Sequence, residues 1–300
     1  MPQITANGLT FEYDAHGPED GEVLLLIMGL GAQMIAWPME LVQNLADRGF
    51  RVVRYDNRDV GLSQKLDHLG MPDMPAIYTA LMAGQKPPAP YFLSDMAADA
   101  AGLMDALEID RAHVVGASMG GMIAQMVAAE HPHRVLSLTS IMSTTGNPAL
   151  PPAKPEAMER LTNRGPDPAV DLEAFLDHGV EGAKVMAGPA FSADIGELKA
   201  QLRATYERSF HPVGFARQMA AIVASGDRRA ALAGITAPTL VIHGIDDPLV
   251  QPTGGEDTAA TIPGAELHMV PGMGHNLPKP LVGTIADLIE RATTLAKTSV

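Results

Sequence analysis

The chain has 300 residues, of which 46% are hydrophobic and 19% are charged, a balance that excludes a disordered or fibrous protein. The 35 acidic and 21 basic residues give a net charge of −14, which repels nucleic-acid phosphates and anionic membrane surfaces and excludes both as expected partners. Cysteine is absent, so disulfides, thiolate metal sites and cysteine nucleophiles are excluded as well.

The predicted elements begin with an antiparallel pair and continue as alternating strands and helices. Short alternating segments at 3–5 and 9–13 flank Asn7-Gly8, a dipeptide that favours a hairpin turn. The strands that follow are almost continuously apolar, which is typical of a parallel sheet covered by helices on both faces. These strands are predicted at 23–29, 50–56, 112–118 and 135–142, with helices at 38–48, 93–108 and 119–130.

The pattern changes after Met142, where a proline-rich stretch is followed by helical segments that continue to about Ala231. Alternating elements then return: strands at 238–244 and 266–272 and a closing helix at 281–296. We therefore predict an α/β fold with a helical cap inserted at 143–230. The core is predicted to comprise 1–142 and 231–300. The methionines and aromatics of the cap are predicted mostly as packing residues, with some facing the site.

One serine lies between two glycines where a predicted strand meets a predicted helix. Gly116-Ala117-Ser118-Met119-Gly120 matches G-x-S-x-G, the nucleophile-elbow pattern. A sharp strand-to-helix turn needs glycine two positions before and two after the serine, because Cβ atoms there would collide. The turn also leaves the Met119 backbone N–H free at a helix N-terminus, where it stabilises developing negative charge. Ser118 is the predicted nucleophile; the alternative is a glycine-rich turn with an incidental serine.

A serine hydroxyl needs a base, which a histidine oriented by a carboxylate supplies. Among ten histidines, His275 follows the last predicted strand in VPGMGHNLP and so reaches the same carboxyl edge of the sheet as Ser118. The acid is expected directly after strand 238–244, where Asp246 and Asp247 are adjacent. Spacing alone does not separate these two carboxylates.

The order Ser, Asp, His along the chain resembles the α/β-hydrolase family, and the resemblance extends through nearly the full length. It implies the α/β-hydrolase fold, and it selects Asp247, because the family pattern after this strand is HG-x-x-D followed by proline. It also implies an oxyanion hole formed by the backbone N–H groups of Leu30 and Met119. The chain departs from the family at Met28, where members often carry histidine. The resemblance implies neither a metal nor another cofactor.

Several stretches resemble a narrower group, the aclacinomycin methylesterases and related bacterial carboxylesterases: IMGLGAQMIAWP, VVRYDNRDVGLS, DMAADAAGLMDAL and HVVGASMGG. This resemblance implies a serine hydrolase that cleaves carboxylic esters. Apolar esters are the expected substrates, with a methyl ester or lactone of a bulky polyketide-type compound as the candidate. The cap is the segment with the least similarity, so the substrate itself does not carry over.

Other activities of the same triad remain open at this point: a cofactor-free haloperoxidase or perhydrolase, and hydrolysis of a carbon–carbon bond. A non-catalytic binding member of the fold is the remote alternative. The expected partner is a small-molecule ester, and the chain is expected to be a monomer or a homodimer. The opening MPQITANGLTFEYD lacks the basic flank and apolar run of a signal peptide, which indicates the cytoplasm.

Three charged residues, Asp56, Arg58 and Asp59, fall in one turn after the strand predicted at 50–56. We predict a structural role for them. Arg58 is expected to pair with the two flanking carboxylates and so hold this loop beside the oxyanion turn.

Overall fold

The computed structural model describes residues 2–163 and 165–298. Its eight strands form one sheet: β1 (Gln3–Ala6), β2 (Leu9–His16), β3 (Val23–Ile27), β4 (Arg51–Tyr55), β5 (Ala112–Ala117), β6 (Val135–Ile141), β7 (Thr239–Gly244) and β8 (Glu266–Val270). Their spatial order is β1-β2-β4-β3-β5-β6-β7-β8.

The sheet is antiparallel at one edge and parallel elsewhere. β1 and β2 form a hairpin whose turn residues, Asn7 and Gly8, have φ angles of 46° and 75°, as a type I′ turn requires. β2 pairs antiparallel with β4, and the six remaining strands are paired in parallel. The predicted mostly parallel α/β sheet is therefore confirmed.

Eleven helices accompany the sheet in the described ranges: α1 (Met39–Asp47), α2 (Met74–Met82), α3 (Leu93–Ala106), α4 (Met119–Glu130), α5 (Pro155–Thr162), α6 (Leu172–Met186), α7 (Ile195–Arg208), α8 (Pro212–Ser225), α9 (Arg229–Leu232), α10 (Thr253–Thr261) and α11 (Val282–Thr298). Short 3₁₀ turns lie at Met34–Ala36, Asp67–Leu69, Pro132–Arg134 and Lys279–Leu281. The sequence patterns did not predict helices α2 and α10.

The central strand β3 shows why the strands read as continuous apolar runs. Leu25 and Ile27 pack into the cluster formed with α3 and α4, whereas Leu24 and Leu26 pack into the cluster formed with α1 and α11. Successive side chains of a strand point to opposite faces, so helices on both sides bury all of them. The carboxyl ends of the parallel strands are left as the edge where loops meet.

Helices α5 to α9 lie in the segment predicted as a cap, and the described residues of that segment contain no strand. α6 packs against α5 and α7, while α8 packs against α2 and α3 of the core. The exact limits of the cap stay a prediction. Within the described ranges, no helix is both long and apolar enough to cross a bilayer.

Candidate active site

Ser118 lies in the tight turn between β5, which ends at Ala117, and α4, which begins at Met119. Its φ of 57° and ψ of −121° are strained for a residue with a Cβ atom. The turn is held on both sides, because Ser118 N–H donates to Ile141 O at 2.9 Å and Ser118 O accepts from Met122 N–H at 3.1 Å. Such strain persists only where the surroundings fix the backbone this firmly.

The two glycines of the motif permit close approach of the backbone around Ser118. A Cβ atom at Gly116 would lie 2.0 Å from Gly120 O, and one at Gly120 would lie 2.0 Å from Ile27 O. Either contact would force the strand and the helix apart. The glycines are therefore required by the packing of α4 against β3 and β5.

Three predicted site residues meet at the carboxyl edge of the sheet. Ser118 Oγ lies 2.9 Å from His275 Nε2, and His275 Nδ1 lies 2.7 Å from Asp247 Oδ2. Because the Asp247 carboxylate is an acceptor, the fitting tautomer carries its proton on Nδ1, and Nε2 accepts from the serine hydroxyl. The three side chains follow β5, β7 and β8, so parallel topology brings residues that are far apart in sequence into one hydrogen-bonded row.

The two adjacent aspartates have different surroundings. Asp247 is 1% exposed, and its Oδ1 accepts from Leu249 and Val250 N–H at 2.9 Å each, which leaves Oδ2 for His275. Asp246 is half-buried, and its Oδ2 accepts from Gly272 N–H at 3.0 Å. Only Asp247 is directed at the histidine.

The turn after β3 lies against Ser118. A Cβ atom at Gly29 would be 3.6 Å from Ser118 Oγ, so the backbone of this turn runs directly beside the hydroxyl. The Leu30 and Met119 backbone N–H groups have no protein acceptor in the described part of the chain. Two free N–H groups beside a nucleophile are the arrangement that an oxyanion hole needs.

A second histidine lies near Asp247. His243 is fully buried, its Nε2–H donates to Val250 O at 2.8 Å, and its Nε2 is 3.6 Å from Asp247 Oδ2. Burial lowers the pKa of His243 below its usual value, against the opposing effects of the Val250 carbonyl and Asp247. His243 therefore stays neutral and does not compete with His275 as a cation for Asp247.

The predicted cap contacts the loop that carries His275. His275 N–H donates to Met186 O, at the end of α6, over 2.7 Å. A backbone carbonyl of the cap thus helps to fix the histidine loop. No side-chain signal in the sequence marks this contact.

The predicted pairing of Arg58 with its flanking carboxylates is wrong. Its guanidinium instead forms a bidentate pair with Asp99 of α3, at 2.5 and 2.7 Å. Asp56 and Asp59 are both fully buried and turn to other partners. Arg58 thus ties this loop to the core helix α3.

Both flanking carboxylates pair with arginines of the predicted cap. Arg208 is on α7, and its Nη1 lies 2.7 Å from Asp56 Oδ2. Arg217, on α8 and fully buried, donates to Asp59 from Nε at 2.8 Å and from Nη2 at 2.6 Å. These pairs join the 143–230 segment to the core beside the turn that follows β3.

Replacing Arg217 by methionine is expected to lower the free energy of unfolding by about 3–5 kcal/mol, because a buried carboxylate then loses its main partner. Burial raises the pKa of Asp59, but hydrogen bonds from Arg217, Leu66 N–H and Tyr91 outweigh burial and hold the pKa below its usual value. The stabilisation from Asp59 is therefore complete above the unfolded pKa of about 3.9 and is lost as pH falls through the lower folded value.

Urea unfolding between pH 7 and pH 2.5 measures both the stability lost in Arg217→Met and the pH dependence that comes from Asp59. Arg229→Met is the control, because Arg229 forms an exposed pair with Asp227 and its loss should change stability little. Asp59→Asn should flatten the decline in stability below about pH 4. An acid profile identical to that of the wild type contradicts the assigned role of Asp59.

A cavity of about 270 Å³ is lined by residues of the predicted cap and by residues of the turn after β3. Its lining residues include Gly31, Gln33, Phe175, Tyr206, Phe210 and Phe215. The rings of Phe175, Tyr206 and Phe210 pack with centroids 5.4, 5.5 and 5.9 Å apart. Phe175, Tyr206 and Phe210 thus pack against one another and also line an apolar cavity, which suits an apolar ligand. Across the described residues, no group of three or more His, Asp or Glu side chains is arranged to hold a metal ion.

A family model described as alpha/beta hydrolase fold matches residues 22–279. Rhodomycin D methylesterase DauP of Streptomyces sp. (strain C5) is 29% identical over 313 residues, which cover 97% of this chain and 98% of the relative. A 2-hydroxy-6-oxononadienedioate/2-hydroxy-6-oxononatrienedioate hydrolase of Cupriavidus pinatubonensis is 32% identical over 177 residues, 58% of this chain and 59% of the relative.

A solved structure extends the comparison to the fold. The meta-cleavage product hydrolase CumD of Pseudomonas fluorescens IP01 superposes with a TM-score of 0.74 and covers 100% of this chain and 98% of its own. At 18% sequence identity this likeness concerns the fold alone.

Proposed function

This chain belongs to the alpha/beta hydrolase family, and from that premise we propose that it hydrolyses carboxylic esters through an acyl-enzyme formed on Ser118. One observation carries the proposal: Ser118 Oγ, His275 and Asp247 form a continuous hydrogen-bonded row with contacts of 2.9 and 2.7 Å. A nucleophile, a base and an orienting acid in this order are the parts that acyl transfer needs.

Each group has one role in the proposed reaction. Ser118 Oγ attacks the ester carbonyl while His275 Nε2 takes the hydroxyl proton, and Asp247 stabilises the imidazolium that forms. The Leu30 and Met119 N–H groups donate to the oxyanion of the tetrahedral intermediate. Its collapse breaks the C–O bond, and His275 returns the proton to the leaving alcohol. A water molecule then attacks the acyl-enzyme while His275 Nε2 takes its proton. Collapse of the second tetrahedral intermediate releases the carboxylic acid, and His275 returns the proton to Ser118 Oγ.

The cavity beneath the cap supports an apolar ester as the substrate. Its aromatic lining offers dispersion contacts to a flat or bulky apolar group, and Gly31 places it next to the proposed oxyanion turn. The methylesterase relative, named for rhodomycin D, favours a methyl ester of a bulky compound. We therefore propose that the large acyl portion occupies the cavity and that the small alcohol leaves.

Labelling with diethyl p-nitrophenyl phosphate tests the proposed nucleophile without knowledge of the physiological ester. The wild-type protein is expected to take up one diethylphosphoryl group per chain, on Ser118, with release of one p-nitrophenolate. The labelled peptide is identified by mass spectrometry. Absence of labelling, or labelling elsewhere, contradicts the proposal and favours a non-catalytic binding role.

A second candidate reaction at the same triad is hydrolysis of a carbon–carbon bond beside a carbonyl. The relative named for 2-hydroxy-6-oxo dienedioates favours it. Specific rates with p-nitrophenyl butyrate, a bulky aryl methyl ester and a 2-hydroxy-6-oxo dienoate separate the two. A kcat/KM for the dienoate above that for both esters would replace ester hydrolysis as the proposed function.

A further inference from the structure

One side chain of the cap reaches the turn proposed to bind the oxyanion. Gln218, on α8, is fully buried, and its Oε1 accepts from Gly31 N–H at 2.8 Å. Its Nε2 donates to Arg58 O at 2.7 Å. The amide therefore joins the turn after β3 to the loop after β4. Its orientation is determined, because Gly31 N–H needs an acceptor and the Arg58 carbonyl needs a donor.

The turn held by Gln218 has Leu30 and Gly31 as its two central residues. Ala32 N–H donates to Gly29 O at 3.2 Å, and Gly31 has a φ of 66°, whereas Leu30 is not among the residues with positive φ. This is the geometry of a type II turn. A type I turn closes the same hydrogen bond but has its middle peptide rotated by about half a turn. Rotation would take Gly31 N–H, which belongs to this middle peptide, away from Gln218. The Leu30 N–H belongs to the preceding peptide of the same turn, so Gln218 acts on it by holding the neighbouring peptide in place.

A second residue of α8 supports the same conformation. A Cβ atom at Gly31 would lie 2.5 Å from Phe215 Cδ2, so the ring fills the space beside the turn. Phe215 and Gln218 are three positions apart and so lie on one face of the helix. The ring limits movement of the turn, and the amide sets the direction of its middle peptide.

We propose that Gln218 is a positioning residue for the oxyanion hole, acting through Gly31 to hold the Leu30 N–H at Ser118. The inference rests on the proposed ester hydrolysis and adds that the cap is a part of the catalytic apparatus as well as a cover for the substrate. A buried amide suits this role better than an ionised or apolar side chain, because it accepts and donates at once. The side-chain hydrogen bonds of Gln218 in the described part of the chain go to Gly31 and Arg58, not to Ser118 or His275.

Gln218→Met tests the proposal with a side chain of similar length that neither accepts nor donates. We expect kcat for p-nitrophenyl butyrate to fall by about 10- to 50-fold with KM changed by no more than about twofold, since only transition-state stabilisation is lost. A trifluoromethyl ketone, which forms a tetrahedral oxyanion adduct with the serine, should bind more weakly by about the same factor as kcat falls.

Gln125→Met is the matched control. Gln125, on α4, is also fully buried, and its Nε2 donates to Ser140 Oγ at 3.0 Å, away from the turn after β3. The Gln125→Met variant should have a lower melting temperature, while its kcat and its affinity for the ketone stay near the wild-type values. If Gln218→Met behaves like this control, or if its loss is in KM alone, Gln218 has only a packing role and the proposal is overturned.

Gln218→Glu keeps an acceptor for Gly31 N–H but loses the donor to Arg58 O, and it decides the matter if the methionine variant does not fold. The proposal predicts that this variant loses stability but retains kcat within about threefold. A loss of kcat as large as that expected for Gln218→Met overturns it. A wild-type protein that neither hydrolyses esters nor is labelled at Ser118 is a failure of the proposed function itself, visible before any variant is made.

Discussion

Ser118→Ala is expected to lower kcat for ester hydrolysis by about 10⁴- to 10⁶-fold, because the covalent step loses its nucleophile. The remaining rate would come from the oxyanion donors and from binding alone. The expectation is specific because Ser118 Oγ is the atom hydrogen-bonded to His275, at 2.9 Å. Alanine tolerates the backbone angles at this position no worse than serine does, so the folded structure should persist.

Purified Ser118→Ala is compared with Ser143→Ala in assays with p-nitrophenyl acetate and butyrate. Ser143 is 1% exposed, follows β6, and its hydroxyl has no hydrogen-bond partner in the described part of the chain. It therefore controls for the loss of a buried serine hydroxyl near the same sheet edge and should keep its activity. Turnover by Ser118→Ala above about a hundredth of the wild-type rate, at equal melting temperature, contradicts the acyl-enzyme.

The fold was predictable because its signals are local. Apolar runs marked most of the parallel strands, and the glycines around Ser118 marked the turn between β5 and α4. Parallel strands end at a common edge, so residues that follow β5, β7 and β8 were expected to meet. The resemblance to the α/β-hydrolase family is confirmed by the family match over residues 22–279. The catalytic roles of the site residues stay predictions until they are measured.

The two helices missed have weak local signals. α10 includes two glycines and three threonines in nine residues, which disfavour a helix in isolation, and its contacts with β7 and β8 support it instead. α2 has apolar residues all round: Ile77 is buried, whereas Tyr78 and Met82 are exposed. Without a polar face, its sequence shows no helical period.

The links between cap and core could not be predicted for a different reason. Arg217 and Asp59 are 158 residues apart, and Gly31 and Gln218 are 187 apart. A charge pattern in one turn suggests neighbours within that turn, which led to the wrong partner for Arg58. Long-range partners follow from how α7 and α8 pack on the core, and no periodicity within a segment encodes that packing.

Asp247→Asn is expected to lower kcat by about 10⁴-fold near neutral pH, whereas Asp246→Asn should change it by no more than about threefold. In the first variant an amide NH₂ can replace Oδ2 and donate to His275 Nδ1, while Oδ1 still accepts from the Leu249 and Val250 N–H groups. His275 then carries its proton on Nε2, directed at Ser118, and cannot accept the hydroxyl proton.

Asp246→Asn is a matched control because it changes the same atom types one position earlier. Among the described residues, the Asp246 carboxylate accepts one hydrogen bond, from Gly272 N–H, and an asparagine oxygen can still accept it. Values of kcat from pH 6 to pH 9, with melting temperatures for both variants, measure the difference. Equal losses, or a larger loss from Asp246→Asn, would reject Asp247 as the orienting acid. A large loss of kcat in Asp247→Asn alone, without unfolding, shows that catalysis depends on the tautomer of His275. An aspartate with only a structural role would not set that tautomer.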